Sequence, residues 1–307
     1  MELFVVIILN VITPVFLLIG AGAYLHRKFN FDLRTLSKII TYYLLPTICF
    51  VNVYESNIDG QILLEVISYQ LVLVIIMMVI CSLLVKVFRL DKGMSAMFKN
   101  SVVLLNSANY GLPVSQLVFQ QNPLGMTVQI IVTLIQTFVT FTYGLINSVS
   151  VNNQGLKVIS EFLKVPILYA LLLGVVLQSL NVNIPQFLWQ PIQNVSDAFI
   201  GIALLILGAQ VAYIKIRKIH RVIVLSCIGR LLVAPAIALG LIFLFGIEGI
   251  VAQALFIASS YPSSRNSAQF ALEFNNHPEL AAQTVLISTL LSSVTVAIVV
   301  FIAQLLF

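Results

Sequence analysis

The sequence predicts an all-α polytopic membrane protein: ten transmembrane helices in two inverted five-helix repeats, with the fourth and ninth helices broken. Three observations predict it. Of 307 residues, 60% are apolar and 9% charged, and the mean hydropathy is +1.06, which is far too apolar for a soluble globule. The apolar residues fall into ten runs, each close to the roughly 20 residues needed to cross a bilayer. Two of those runs, one in each half, are interrupted by polar stretches that carry proline, NSANYGLP at 106–113 and SSYPSSRN at 259–266.

In chain order the runs lie near 4–25, 36–54, 62–88, 98–120, 125–149, 159–180, 188–213, 221–245, 249–273 and 280–306. The first has Glu2 ahead of it rather than a basic segment, and is too long for a signal-peptide core. It therefore reads as a retained helix. The loops fix orientation, because cytoplasmic loops collect lysine and arginine. Arg27, Lys28, Arg34 and Lys38 follow span one; Lys86, Arg89, Lys92 and Lys99 follow span three; Lys157 and Lys164 follow span five; Lys215, Arg217, Lys218 and Arg221 follow span seven. Of the 16 lysines and arginines, only Arg230 and Arg265 remain, both inside spans. The opposite loops (55–65, 120–125, 181–191 and 246–249) have neither residue. Both termini are thus expected outside the cytoplasm, in the cell membrane.

Five spans per half is an odd number, so the second half enters from the opposite face. The expected division is 1–154 and 155–307, joined by the cytoplasmic stretch Val151–Gln154. Weak internal symmetry supports it. Thr13-Pro14 precedes a run containing Gly20, and Val165-Pro166 precedes one containing Gly174. Spans five and ten carry polar stripes at helical spacing: Gln129, Thr133, Gln136 and Thr140, and Thr284, Ser288, Ser292 and Thr295. Such a stripe is interhelical hydrogen-bond glue, a polar wall facing the broken helices, or both.

Irregular backbone at membrane depth survives only where protein, water or a ligand satisfies its polar groups, and paired broken helices mark substrate sites in transporters. Pro113 and Pro262 are each placed as the first residue of a restarted half-helix, where a missing N–H is harmless. Two helix starts, with their free amides and positive dipole ends, then converge from opposite faces, which favours an anion. Arg265, beside Ser263, Ser264 and Asn266, offers a bidentate fork for a carboxylate; its other reading is a structural bond to freed carbonyls or an acidic partner. Asn106 and Asn109 add amides from the first break, with Gly111 beside them.

Two further charges lie within spans. Arg230 either snorkels to the cytoplasmic edge or serves coupling; Asp197 either sits at the outer interface or titrates with a transported proton. The remaining chemistry is negative. Cys49, Cys81 and Cys227 have neither metal-ligand spacing nor a disulfide framework. His26, His220 and His277 fall in cytoplasmic loops, so no Ser-His-Asp or HExxH arrangement sits in the membrane. There is no P-loop. The pI near 9.1 reflects membrane-edge charge rather than a nucleic-acid surface. No enzyme activity, metal or cofactor is expected.

The ten spans, the short basic loops, NYGLP at 109–113, the run from Asp197 to Gln210 ending LGAQ, and RLLVAP at 230–235 resemble a bacterial member of the auxin efflux carrier family. The resemblance covers nearly the whole chain and rests on motif order and spacing. It implies a secondary carrier for small organic anions, malate or malonate in bacterial relatives and auxin in plant ones. It also implies that helices four and nine cross at the site. Spans three to five and eight to ten would move against a scaffold of spans one, two, six and seven, through which the protein dimerises. By position, Asn109, Gly111, Pro113 and Pro262 are the crossover residues. Gly201 stands where many relatives have proline, and the long central loop of plant carriers is absent.

The reading is a carrier for a small carboxylate, in contact with membrane lipid and with no nucleic-acid partner. Its rivals are a sodium-coupled carrier of a bile-acid-like amphipathic anion, for which neither break supplies an acidic residue, and a non-transporting channel or receptor.

Overall fold

The computed structural model describes residues 2–55, 60–120, 122–149, 166–213 and 219–307. The expected join at Val151–Gln154 lies outside the described residues, as do Lys157, Lys164, Lys215, Arg217 and Lys218. All the described secondary structure is helical apart from one isolated β-bridge.

Among the described residues, seven helices are long and apolar enough to cross a membrane: α1 (Val5–Phe29), α2 (Leu33–Glu55), α3 (Gly60–Val87), α6 (Pro123–Ser148), α8 (Gln186–Val211), α9 (Arg221–Phe245) and α12 (Pro278–Leu306). The other three predicted spans contain shorter pieces. Span four is α4 (Lys92–Val103) and α5 (Leu112–Val118), and α5 continues from a wide π-turn, Ser107–Gly111. Span six is described over α7 (Pro166–Ser179), and span nine is α10 (Gly249–Ser259) and α11 (Arg265–Glu273).

Four of the prolines inside these helices share one device. π-Turns at Ile8–Ile12, Ile40–Leu44, Ser107–Gly111 and Gly229–Val233 each end one residue before a residue-proline pair, so that Pro14, Pro46, Pro113 and Pro235 fall two residues past the turn. A proline cannot donate to the carbonyl four residues back and its ring collides with it. A turn widened by one residue moves that carbonyl away and keeps the helix running. At the basic-loop ends, Asp32 caps α2 by accepting from the Arg34 and Thr35 amides, and Asp91 caps α4 by accepting from the Met94 amide. Those bonds, led by the Thr35 hydroxyl at Asp32 and the Met94 amide at Asp91, hold both carboxyls below the usual range.

Two helix pairs pack most extensively, α1 on α8 and α2 on α7. The first depends on glycine. A Cβ at Gly22 would lie 1.9 Å from the Leu205 carbonyl oxygen, and one at Gly208 would lie 1.8 Å from that of Ile19, so only hydrogen on both helices permits this approach. Elsewhere α3 packs on α4 and on α6, α9 on α10 and on α12, and α6 on α10. Outward faces keep large apolar side chains exposed, such as Leu17, Leu64, Val87, Phe187 and Leu244, as helices facing lipid require.

Candidate functional site

The two breaks lie against each other. Leu105 and Ser263 form an antiparallel β-bridge: the Asn106 amide donates to the Pro262 carbonyl at 2.8 Å and the Ser264 amide to the Leu104 carbonyl at 2.7 Å. Backbone groups freed by one break are thus satisfied by the other, which is how extended chain is tolerated in an apolar interior. The pairing also sets where the helices resume. The first run after the bridge opens with the Gly111 amide donating to the Asn106 carbonyl at 2.9 Å, leaving the amides from Ser107 to Tyr110 ahead of its first bond. In the second, Ser264 is the N-cap of α11 and its hydroxyl accepts from the Asn266 amide. Two helix starts therefore flank the bridge, one at each end, with the chains leaving in opposite directions.

This geometry corrects the placement of both prolines. Pro113 is not the first residue of its half-helix, because helix resumes at Ser107 and the π-turn accommodates the ring. Pro262, by contrast, precedes the restart; it lies in the extended bridge segment, and Arg265 is the first residue of α11. In each case the bridge decides where helix resumes.

Side chains of α6 and α12 brace the breaks. Gln129 donates to the Ser107 carbonyl at 3.2 Å, and Gln136 to that of Val103 at 3.2 Å. From α12, Ser288 accepts from the Ser263 amide and Ser292 donates to the Tyr110 hydroxyl. Of the polar stripes of spans five and ten, Gln129, Thr133, Gln136, Ser288 and Ser292 bond the broken helices, whereas Thr140, Thr284 and Thr295 bond within their own helices. Tyr110 and Tyr261 pack edge to face across the bridge, and the Tyr261 hydroxyl pairs with that of Ser115 at 2.7 Å. Gly111 makes room for this, since a Cβ there would come within 2.6 Å of the Tyr261 ring and 2.9 Å of Gln129 Nε2.

The expected site residues separate into two groups. Ser263 donates to the Ser101 carbonyl and Ser264 caps α11, so both hydroxyls are committed within the protein. Asn106 is buried and its Nδ2 has no partner among the described residues. Asn109, Asn266 and Arg265 are half-buried at the two helix starts. Arg265 donates to Ser37 Oγ on α2 at 3.1 Å. Asn106 and Asn109 thus belong to the first helix start, and Arg265 and Asn266 to the second. Among the described residues no group of three His, Cys, Asp or Glu side chains gathers as a metal site would require.

Arg230 does not snorkel. It is buried, donating from Nη1 to the Val102 carbonyl at 3.0 Å and from Nη2 to the Ser259 carbonyl. Those carbonyls end α4 and α10. The bond to freed carbonyls that the sequence offered as one reading of Arg265 is made by Arg230, and nothing local to either arginine tells which one reaches them. Asp197 is exposed and sits with Glu55, Gln193, Gln116 and Asn52 around a cavity of about 230 Å³ toward the carboxyl ends of α2 and α5 and the amino end of α8. None of the residues that line this cavity belongs to either helix start. Sequence reasoning also missed Tyr110, Tyr261 and the bracing amides as parts of one network, although the stripe on span five was the available signal.

Comparison with known proteins adds two findings. A family model described as membrane transport protein matches residues 7–300. The chain is also similar to a protein of Methanothermobacter thermautotrophicus described as an uncharacterized transporter, at 24% identity over 275 residues, covering 86% of this chain and 87% of that one.

Proposed function

The chain belongs to the membrane transport protein family, that of the auxin efflux carriers, and on that premise we propose that it is a secondary transporter for a small organic anion, a carboxylate such as malate or malonate or an auxin-like acid. The observation that carries the proposal is the pair of helix starts that flank the bridge, with Asn106 and Asn109 at one and Arg265 and Asn266 at the other. Helix starts direct amide donors and positive dipole ends at a ligand, and a guanidinium adds a fork matched to carboxylate. The acidic side chains of the cavity lined by Asp197 belong to neither helix start, so a cation is disfavoured there.

Alternating access by an elevator-type displacement is part of the proposal, with α1, α2, α7 and α8 as scaffold. The packing supports an inverted repeat divided at 154 and 155. Exchanging the halves converts the α1–α8 pair into the α7–α2 pair, and the contact of α3 on α4 into that of α9 on α10. A homodimer joined through the scaffold, in the cell membrane with both termini outside the cytoplasm, completes the reading.

The test is uptake of labelled mono- and dicarboxylates into proteoliposomes, with and without an imposed pH gradient and membrane potential. Saturable flux of one acid is expected; no flux of any acid by correctly inserted protein overturns the reading. The same assay examines coupling. If Asp197 carries the coupling proton, Asp197→Asn makes uptake independent of the pH gradient. An unchanged pH profile returns Asp197 to a structural role beside Glu55.

A further inference from the structure

Each break presents a carboxyl-terminal helix end as well as an amino-terminal one. At the bridge, the ends of α4 and α10 meet the starts of the run through α5 and of α11. With roughly half a negative charge on each carboxyl end and half a positive charge on each start, the four ends nearly cancel, and the backbone alone gives the bridge little preference for an anion. Arg230 removes the cancellation. Its fork bonds the last-turn carbonyl of α4 through Val102 and the final carbonyl of α10 through Ser259.

We infer that Arg230 is a positioning residue that sets the charge sign of the site: it covers both carboxyl ends, so that the field left at the paired breaks is that of the two helix starts. This rests on the anion reading above. Three features support it besides the bonds. Arg230 is 3% exposed, where a charge acts with little screening by solvent. Gly229 lets α9 approach the end of α4, since a Cβ there would lie 3.1 Å from Val102 Cγ1. The π-turn Gly229–Val233 carries the arginine at the level of both ends. One guanidinium reaches two carbonyls at once, which an ammonium on a single stem does less well.

The test compares Arg230→Lys with Arg230→Gln. Each replacement can donate to a carbonyl and only lysine keeps the charge. Binding of malonate and of its neutral counterpart malonamide is measured on purified full-length protein, together with the melting temperature. Both variants are expected to melt lower than the parent. Malonate affinity stays within about threefold in the lysine variant and falls at least about tenfold in the glutamine variant, a factor of ten being about 1.4 kcal/mol, while malonamide binding is unchanged. Equal loss of malonate binding in the two variants, or no loss in either, overturns the inference and assigns Arg230 to structure alone. A parent protein that does not prefer malonate to malonamide overturns the anion reading itself, which the unmutated protein reports separately. If the glutamine variant does not fold, the lysine variant still decides: a tenfold loss there despite retained charge overturns the inference, and retained affinity upholds it.

Discussion

Replacing Arg265 with alanine is expected to abolish saturable anion uptake at working substrate concentrations by protein that still folds and inserts. Arg265 is the first residue of α11, one position past its cap, and its bond to Ser37 Oγ occupies only one arm of the guanidinium. Losing that half-buried bond costs stability by about 1 kcal/mol, so the melting temperature moves little. A charge-assisted bond to a carboxylate contributes about 1.5–3 kcal/mol, and its loss lowers affinity by roughly tenfold to a hundredfold or more. Arg265→Lys keeps the charge without the planar fork and should fall between the two. Uptake and melting measured on the same preparation check the separation. Normal uptake by the inserted alanine variant would remove Arg265 from the site.

The largest stability effect is expected at Gly208. The atom that a methyl group would strike is a backbone oxygen 1.8 Å away, and Gly22 faces the same helix pair with 1.9 Å. A flexible side chain could swing aside, whereas a carbonyl held in a helix cannot. Gly208→Ala therefore forces α1 and α8 apart along their contact, at a cost on the order of 3 kcal/mol. Gly201, on the same helix, and Gly20, on the partner, have nothing within 4 Å of the equivalent position. Alanine at either of those is expected to leave stability unchanged or raise it slightly through its better helix propensity. The three variants melted side by side in detergent decide the matter, and a Gly208→Ala protein as stable as Gly201→Ala would refute the close approach.

How much of this was legible depended on range. Apolar runs and their breaks are local properties, and the structure has helix at every predicted span that its described residues reach, with α4 and α5, and α10 and α11, interrupted where polar stretches interrupt the hydropathy. The restart points were not legible. A proline marks an interruption, but the residue at which helix resumes is set by which carbonyl the other break offers, and Leu104 and Pro262 belong to different halves. The snorkelling reading of Arg230 failed for the same reason: an arginine two to three turns into a span reads as reaching for the membrane edge unless one knows that two helix ends terminate beside it. Within the candidate site, Asn106, Asn109, Arg265 and Asn266 followed from composition at the breaks. The committed hydroxyls of Ser263 and Ser264 required the fold.

The bridge between the breaks also has a history in time. Ser263 bonds a carbonyl at Ser101, 162 residues earlier in the chain, and the amide of Asn106 awaits Pro262 over nearly the same interval. At roughly 5–20 residues per second, the first break is made on the order of ten seconds before its partner exists. Throughout that interval its bare peptide groups must be screened by the insertion machinery or by water. The amino-terminal half thus enters the bilayer carrying an unfinished surface that only the carboxyl-terminal half can close.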